Sequence, residues 1–147
     1  QTPLERPFYG VYHGQAALPM EPETMYIMES SALKECRVYL YATDSYTDVY
    51  NMEKLTSKDL YDVYLSGTQS LVRIENPNAA TDRELIVFRD SFGSSLVPLL
   101  VSEYQSVTLV DIRYISSLLL NQYVDFRGQD VLFLYSTLVL NNSETIK

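Results

Sequence analysis

The sequence predicts an α/β fold, three-layer-like and with a parallel sheet in its C-terminal half, preceded by an irregular, β-rich N-terminal half. Three observations predict it. From Glu84 onward, apolar runs of strand length alternate with segments of helical spacing, in the order strand, helix, strand, helix, strand. Before about residue 80, Pro, Tyr, Ser and Thr are frequent and helical periodicity is weak. Hydrophobic residues make up 46% of the 147 positions, enough to build a core and too many for disorder.

In the N-terminal half, Met25-Tyr26-Ile27-Met28 and Cys36-Arg37-Val38-Tyr39-Leu40-Tyr41 read as strands, separated by a polar turn over residues 30–34. In the second of these, Cys36, Val38 and Leu40 alternate with Arg37, Tyr39 and Tyr41, the period of a half-buried strand. Thr56 or Ser57 before Lys58-Asp59-Leu60 predicts a short helix with a hydroxyl cap, stopped by Ser66-Gly67. Leu71-Val72-Arg73-Ile74 is a strand, Asn76-Pro77-Asn78 a turn, and residues 79–83 a loop.

Leu85-Ile86-Val87-Phe88 is continuously apolar, as expected of a strand covered on both faces. Residues 92–104 follow as a helix with Phe92, Leu96, Leu99 and Leu100 on one side and Pro98 inside to bend it. Residues 107–111 form a strand, 115–123 a second helix, and 131–135 a third strand after a turn at Gly128. This rhythm implies parallel strands joined by right-handed crossovers. No internal repeat or linker divides the chain. It reads as one domain, or part of one, with a β-rich portion over residues 1–80 and a parallel portion over residues 84–140.

The formal net charge of -8 argues against a nucleic-acid partner, which would require a basic stripe, and is read as a source of solubility. No apolar run reaches the roughly 18–20 residues of a membrane span. The single cysteine, Cys36, excludes an intrachain disulfide and is expected in the core, with no activating cation beside it. The chain opens Gln1-Thr2-Pro3-Leu4 and reads as a mature or truncated piece. There are 13 tyrosines and no tryptophan. Tyr39, Tyr41, Tyr46 and Tyr50 read first as strand-face residues and second as a sugar-facing platform.

Ligands of an open parallel sheet bind outside the carboxyl ends of its strands. Asp90 and Ser91 directly follow the strand at 85–88 and precede a helix, so they belong to that edge. Ser91 would then sit where free backbone N–H groups can hold an oxyanion, and Gly93 would allow close approach. An ordinary helix cap is the competing explanation of Asp90-Ser91. Asp111 and Arg113 end the second strand on the same edge, and Tyr135 and Ser136 end the third. Arg113 is read either as a ligand-binding cation or as the ion-pair partner of Asp111 or Asp90.

Arg89-Asp90-Ser91-Phe92 resembles the Gly-Asp-Ser block of SGNH hydrolases, with Arg89 where glycine usually stands. The wider run over residues 85–100, LIVFRDSFGSSLVPLL, resembles the KDSYANSFVPFL region of the bacterial DHHW family, which is related to SGNH-like alginate O-acetyltransferases. Residues 107–114 resemble that family's VVDLRY strand and residues 130–135 its last strand. Residues 59–61 and 65–74 resemble its DKY and FLGGNHPLLKI segments. The resemblance spans roughly residues 55–137, and more loosely 7–50, including Phe8-Tyr9-Gly10.

This resemblance implies a serine esterase or O-acyltransferase acting on cell-envelope carbohydrate, with no metal or organic cofactor and an extracellular or envelope location. Ser91 is the implied nucleophile, with Asp90 beside it. Phe92 and Gly93 are the implied oxyanion-side residues, and Asp111 and Arg113 line the substrate side. Thr68 and Gln69 stand where the family pattern has Asn-His, and thus where an oxyanion donor is expected. In relatives, acid and base come from an upstream Asp-x-His segment, which this chain lacks. Its one histidine, in Tyr12-His13-Gly14, does not match that pattern and reads as a surface-loop residue. Two expectations follow. The chain is a C-terminal portion whose acid and base precede Gln1, inactive by itself. Or it is a non-catalytic domain that binds carbohydrate or protein at the cell envelope. A polysaccharide or peptidoglycan-related glycan is the expected partner.

Overall fold

The computed structural model describes residues 1–10, 13, 16 and 19–145. They form two compact units, Gln1–Ser30 and Ser31–Lys147. The first contains β1 (Thr2–Phe8) and β2 (Glu23–Ile27), paired antiparallel from Thr2 opposite Ile27 to Phe8 opposite Glu23, with the register shifting between Pro3 and Pro7. Prolines donate no ladder hydrogen bond, so a strand holding two of them reads as a loop in sequence. That is why β1 is not anticipated while β2 is.

The second unit is built on α1 (Ser31–Glu35), β3 (Arg37–Leu40), β4 (Ser45–Thr47), β5 (Leu71–Glu75), β6 (Glu84–Arg89), α2 (Gly93–Leu96), β7 (Ser106–Val110), β8 (Asp130–Leu134) and α3 (Thr137–Asn141). Six strands form a mixed sheet in the order β4-β3-β5-β7-β6-β8. β6 lies parallel to both β7 and β8, as the strand–helix–strand rhythm requires. β5 is antiparallel to β3 and to β7, so β3 points the same way as the parallel trio.

Strand parity sorts the side chains onto two faces. One carries Val38, Leu40, Val72, Ile74, Leu85, Val87, Val107 and Leu109, buried together with Leu33 of α1 and with Val97 and Val101. Cys36 belongs to this core, and burial pushes its thiol up to about 11, which makes it an inert apolar residue. The opposite face buries Leu71, Ile86 and Val110 beneath Leu120 and Val124. Among the described residues no helix is long and apolar enough to cross a membrane.

Helical segments differ most from expectation. The polar turn expected at 30–34 is α1, which forms because Leu33 can reach the core. The helix expected from Thr56 or Ser57 begins later, as a 3-10 turn over Leu60–Val63 capped by the Asp59 side chain, which accepts the Tyr61 N–H. The helix expected over 92–104 is α only within α2 and continues as 3-10 over Val97–Glu103, where Pro98 has no N–H to give. The one expected at 115–123 is a 3-10 helix over Ser117–Gln122 with Ser116 as its cap. β4 and α3 were not foreseen; both are short, and α3 buries no residue.

Every residue of β7 is buried. Leu109→Ala should therefore destabilise the fold by about 2–5 kcal/mol. Leu118→Ala, at a site 88% exposed, should stay within about 0.5 kcal/mol of the parent. Urea unfolding followed by circular dichroism distinguishes the two.

Candidate active site

The carboxyl ends of β6, β7 and β8 carry a cluster of polar groups. Arg89, Asp90 and Asp111 are each only 1% exposed. Asp90 follows β6 and uses both carboxylate oxygens on backbone. Its Oδ1 accepts the Phe92 N–H at 3.0 Å, and its Oδ2 accepts the Ser136 N–H at 2.7 Å. Its own N–H donates to the Leu134 carbonyl at 3.3 Å. One side chain thus closes the turn after β6 and ties it to the end of β8. Asp90 thus acts as a cap that spans two strand ends.

That turn projects Ser91 outward. Ser91 is exposed, and among the described residues neither its N–H nor its hydroxyl makes a hydrogen bond. Its carbonyl accepts the Ser94 N–H and the Asp90 carbonyl accepts the Gly93 N–H, which starts α2. The expected pair of oxyanion amides is therefore altered. Phe92 N–H is held by Asp90 and Gly93 N–H by the turn, which leaves the Ser91 N–H. Phe92 itself is exposed. Gly93 packs against Arg89, where an added Cβ would come within 2.9 Å of Arg89 Cβ. That close approach requires a glycine.

Arg89 lies beneath the corner. Its Nη1 donates to the Asp90 carbonyl at 3.3 Å, and its Nη2 donates to the Gln69 carbonyl at 3.5 Å. Asp111 Oδ2 is 4.0 Å from Nη1, and among the described residues Nε has no hydrogen-bond partner. Burial pushes the guanidinium down from its usual pKa, opposed by the Asp111 charge. Arg113 grips Asp111 as a fork, with Nε on Oδ1 at 2.9 Å and Nη2 on Oδ2 at 2.6 Å. Its alternative as an ion-pair partner is thus the one observed, with Asp111, and this pairing raises its pKa. Two guanidiniums and two carboxylates balance within the cluster.

The segment before β5 reaches the same edge, since the Asp111 N–H donates to the Ser70 carbonyl at 2.9 Å. Leu65, Ser66 and Gly67 all have positive φ, of 53°, 62° and 82°, and bend the chain there. Asp62 fills the space a Cβ on Gly67 would need. Thr68 emerges exposed, whereas the Gln69 side chain turns back to donate to the Ser66 carbonyl at 3.4 Å. Of the two residues at the family's Asn-His positions, Thr68 is the one open to a ligand.

Two tyrosines complete the corner. Tyr61 Oη is 2.8 Å from Ser95 Oγ and 3.3 Å from the Phe92 carbonyl oxygen, which pins the first turn of α2. Tyr61 was visible in the sequence only within a short aligned segment. Tyr135, at the end of β8, has a buried hydroxyl with no hydrogen-bond partner among the described residues. Burial pushes that phenol up, with Asp111 adding to the effect and Arg113 opposing it. Ser136 caps α3, its side chain accepting the Val139 N–H. His13 belongs to the first unit. It is half-buried against Tyr9 at 4.9 Å between ring centroids, not a free loop residue; Tyr12 and Gly14 lie outside the described residues. Among the described residues no group of three or more His, Cys, Asp or Glu side chains could hold a metal.

Residues 6–110, more than half of the chain, match the family described as DHHW protein. The chain belongs to the DHHW protein family. Solved structures similar to this DHHW protein include a DHHW family protein from Eubacterium siraeum, 25% identical with a TM-score of 0.56, covering 86% of this chain and 43% of that one. Bacillus cereus PatB1 with a sulfonyl adduct is 23% identical with a TM-score of 0.55, covering 71% of this chain and 38% of that one. A second PatB1 structure is 22% identical with a TM-score of 0.52, covering 71% and 36%. The DHHW chain thus spans less than half the length of the solved structures it matches. A search of curated proteins found no match.

Asp90→Ala removes acceptors from two part-buried N–H groups and should cost about 1–3 kcal/mol. Tyr135→Phe deletes a hydroxyl that has no partner, so its stability should equal the parent's or exceed it by up to about 1 kcal/mol. Paired urea melts of the two variants test this reading of the corner.

Proposed function

We propose that this protein contributes the serine side of an SGNH-like esterase or O-acyltransferase site acting on cell-envelope carbohydrate. The observation that carries the reading is the state of Ser91: exposed, its hydroxyl and N–H without a hydrogen-bond partner among the described residues, and held at the carboxyl edge of β6 by the Asp90 clamp. Ser91 Oγ attacks the acyl carbonyl as the general base takes its proton. The tetrahedral intermediate collapses by breaking the ester C–O bond, releasing the alcohol and leaving an acyl-serine that passes its acyl group to water or a sugar hydroxyl. The Ser91 N–H and the exposed Thr68 hydroxyl are the candidates to donate to the oxyanion. Asp90 positions the turn, because both its oxygens are engaged by backbone.

The general base and its acid lie, on this reading, in that part of the relatives' length which this chain does not cover. Family membership and the fold shared with PatB1 support the assignment. A sulfonyl adduct, as in the PatB1 structure, forms by attack of a nucleophilic side chain, and Ser91 is the candidate here. An envelope or extracellular location belongs to the same proposal.

Expressed over the full length of its gene, the protein should hydrolyse or transfer acyl esters. Ser91→Ala should lower turnover by at least about a thousandfold. Equal turnover in parent and variant would refute the assignment. The 147-residue chain by itself is expected to show none.

A second reading is a non-catalytic domain that binds glycan or protein. It is favoured by one observation: among the described residues no base is hydrogen-bonded to Ser91. It requires that a fluorophosphonate fail to label Ser91 even in the full-length protein.

A further inference from the structure

The sheet face opposite the α1–α2 core carries one row of residues running straight across the strands. Tyr46 is opposite Tyr39, Tyr39 opposite Arg73, and Arg73 opposite Thr108. The tyrosines of this face touch in sequence. Ring centroids are 5.1 Å apart for Tyr46 and Tyr39, 4.8 Å for Tyr39 and Tyr41, and 5.9 Å for Tyr41 and Tyr123. Tyr46 is 60% exposed and Tyr123 48%. Tyr50, the fourth tyrosine grouped with them in the sequence, packs instead on Tyr64.

Tyr123 is also one wall of a cavity of about 70 Å³ whose other walls include Arg73, Glu84, Thr108 and Gln129. The cavity and the ring series therefore meet twice, at Tyr123 and through the Tyr39–Arg73 pair. Within it, Arg73 Nη2 donates to Glu84 Oε1 at 2.9 Å, and Gln129 Nε2 donates to Glu84 Oε2 at 3.1 Å. Among the described residues the buried Arg73 Nε has no hydrogen-bond acceptor, and Glu75 Oε1 lies 4.0 Å from it.

We propose that this face is a binding site for a neutral carbohydrate chain, separate from the Ser91 corner and resting on none of its chemistry. A sugar ring offers an apolar C–H face edged by hydroxyls, and tyrosines offer apolar ring faces with hydroxyl tips. The cavity has room for a few waters. It admits one hydroxyl or hydroxymethyl group, whose oxygen would accept the stranded Arg73 N–H, but not a whole ring. Charge sets the preference for a neutral chain. Arg73 is neutralised by Glu84, and Arg37 is paired with Asp48. Asp44, which accepts the Tyr39 hydroxyl at 2.6 Å and pushes that phenol up to about 12, repels a carboxylated sugar. Because β3 points the same way as β6, only the step from Tyr39 to Tyr41 leads toward the Ser91 edge, and the series then turns to Tyr123 beside Glu84, at the amino end of β6.

The test is an NMR titration of the isotopically labelled chain with three probes: the β-1,4-linked tetramer of N-acetylglucosamine, cellotetraose and tetragalacturonate. At least one neutral tetramer should bind, shifting resonances of β3, β4 and residues 123–129. Tyr46→Ala, at an exposed and readily tolerated site, should weaken that binding about tenfold or more. Arg73→Lys keeps the charge but loses the Nε donor, and should weaken it as well. Ser91→Ala should bind like the parent. The spectra themselves report whether each variant is folded. The proposal is overturned by absence of binding to either neutral tetramer up to about 10 mM. It is equally overturned by unchanged affinity in Tyr46→Ala, by tighter binding of tetragalacturonate, or by shifts confined to the Ser91 edge.

Discussion

The Asp90 carboxylate is the interaction on which the candidate site depends. It sits at the end of β6 and accepts one N–H from its own turn and one from the end of β8. A buried carboxylate is costly unless its lone pairs are filled by donors and its charge is balanced. Backbone supplies the donors, and Arg89 with Arg113 supplies the balance, shared with Asp111. Because Asp90 is occupied on both oxygens, the direction of Ser91 follows from the clamp and not from packing of its own side chain.

Arg89 gives this corner a character that a glycine at the same position would not. Its aliphatic stem lies under Gly93, and its head reaches the Gln69 carbonyl in the loop before β5. The turn after β6, the positive-φ bend at 65–67 and the end of β7 are thereby joined through one buried cation. Nε remains without an acceptor, and so does the Tyr135 hydroxyl. Such unmet groups in the interior tend to mark strained or functional positions rather than well-packed core.

The strands of the parallel trio were legible because each is an apolar run of strand length; β6 and β7 are mostly buried, whereas β8 lies at the sheet edge with Phe133 68% exposed. The alternation around Val38 was legible for the related reason that period two separates a wet face from a dry one. Helices were read less well. Short 3-10 turns lack an extended apolar stripe, and Pro98 converts the expected long helix into two short pieces. β1 escaped notice because Pro3 and Pro7 suit only an edge strand. In the site, Asp90, Ser91, Asp111 and Arg113 were found from their places after strands. Tyr61 was not, because its contact to Ser95 joins positions 34 residues apart.

The sequence by itself determined the class of fold, the family and the sheet edge on which a serine site would lie. These follow from local patterns, namely apolar periodicity and residues placed just after strands. Tertiary structure alone decided what each polar residue does there. Asp90 clamps two strand ends, Arg113 pairs with Asp111, Gly93 makes room for Arg89, and Tyr41, just after β3, meets Tyr123 from far along the chain. Hydrogen bonds and ring contacts depend on which atoms are brought together, and strand order and register settle that only once the whole sheet has assembled.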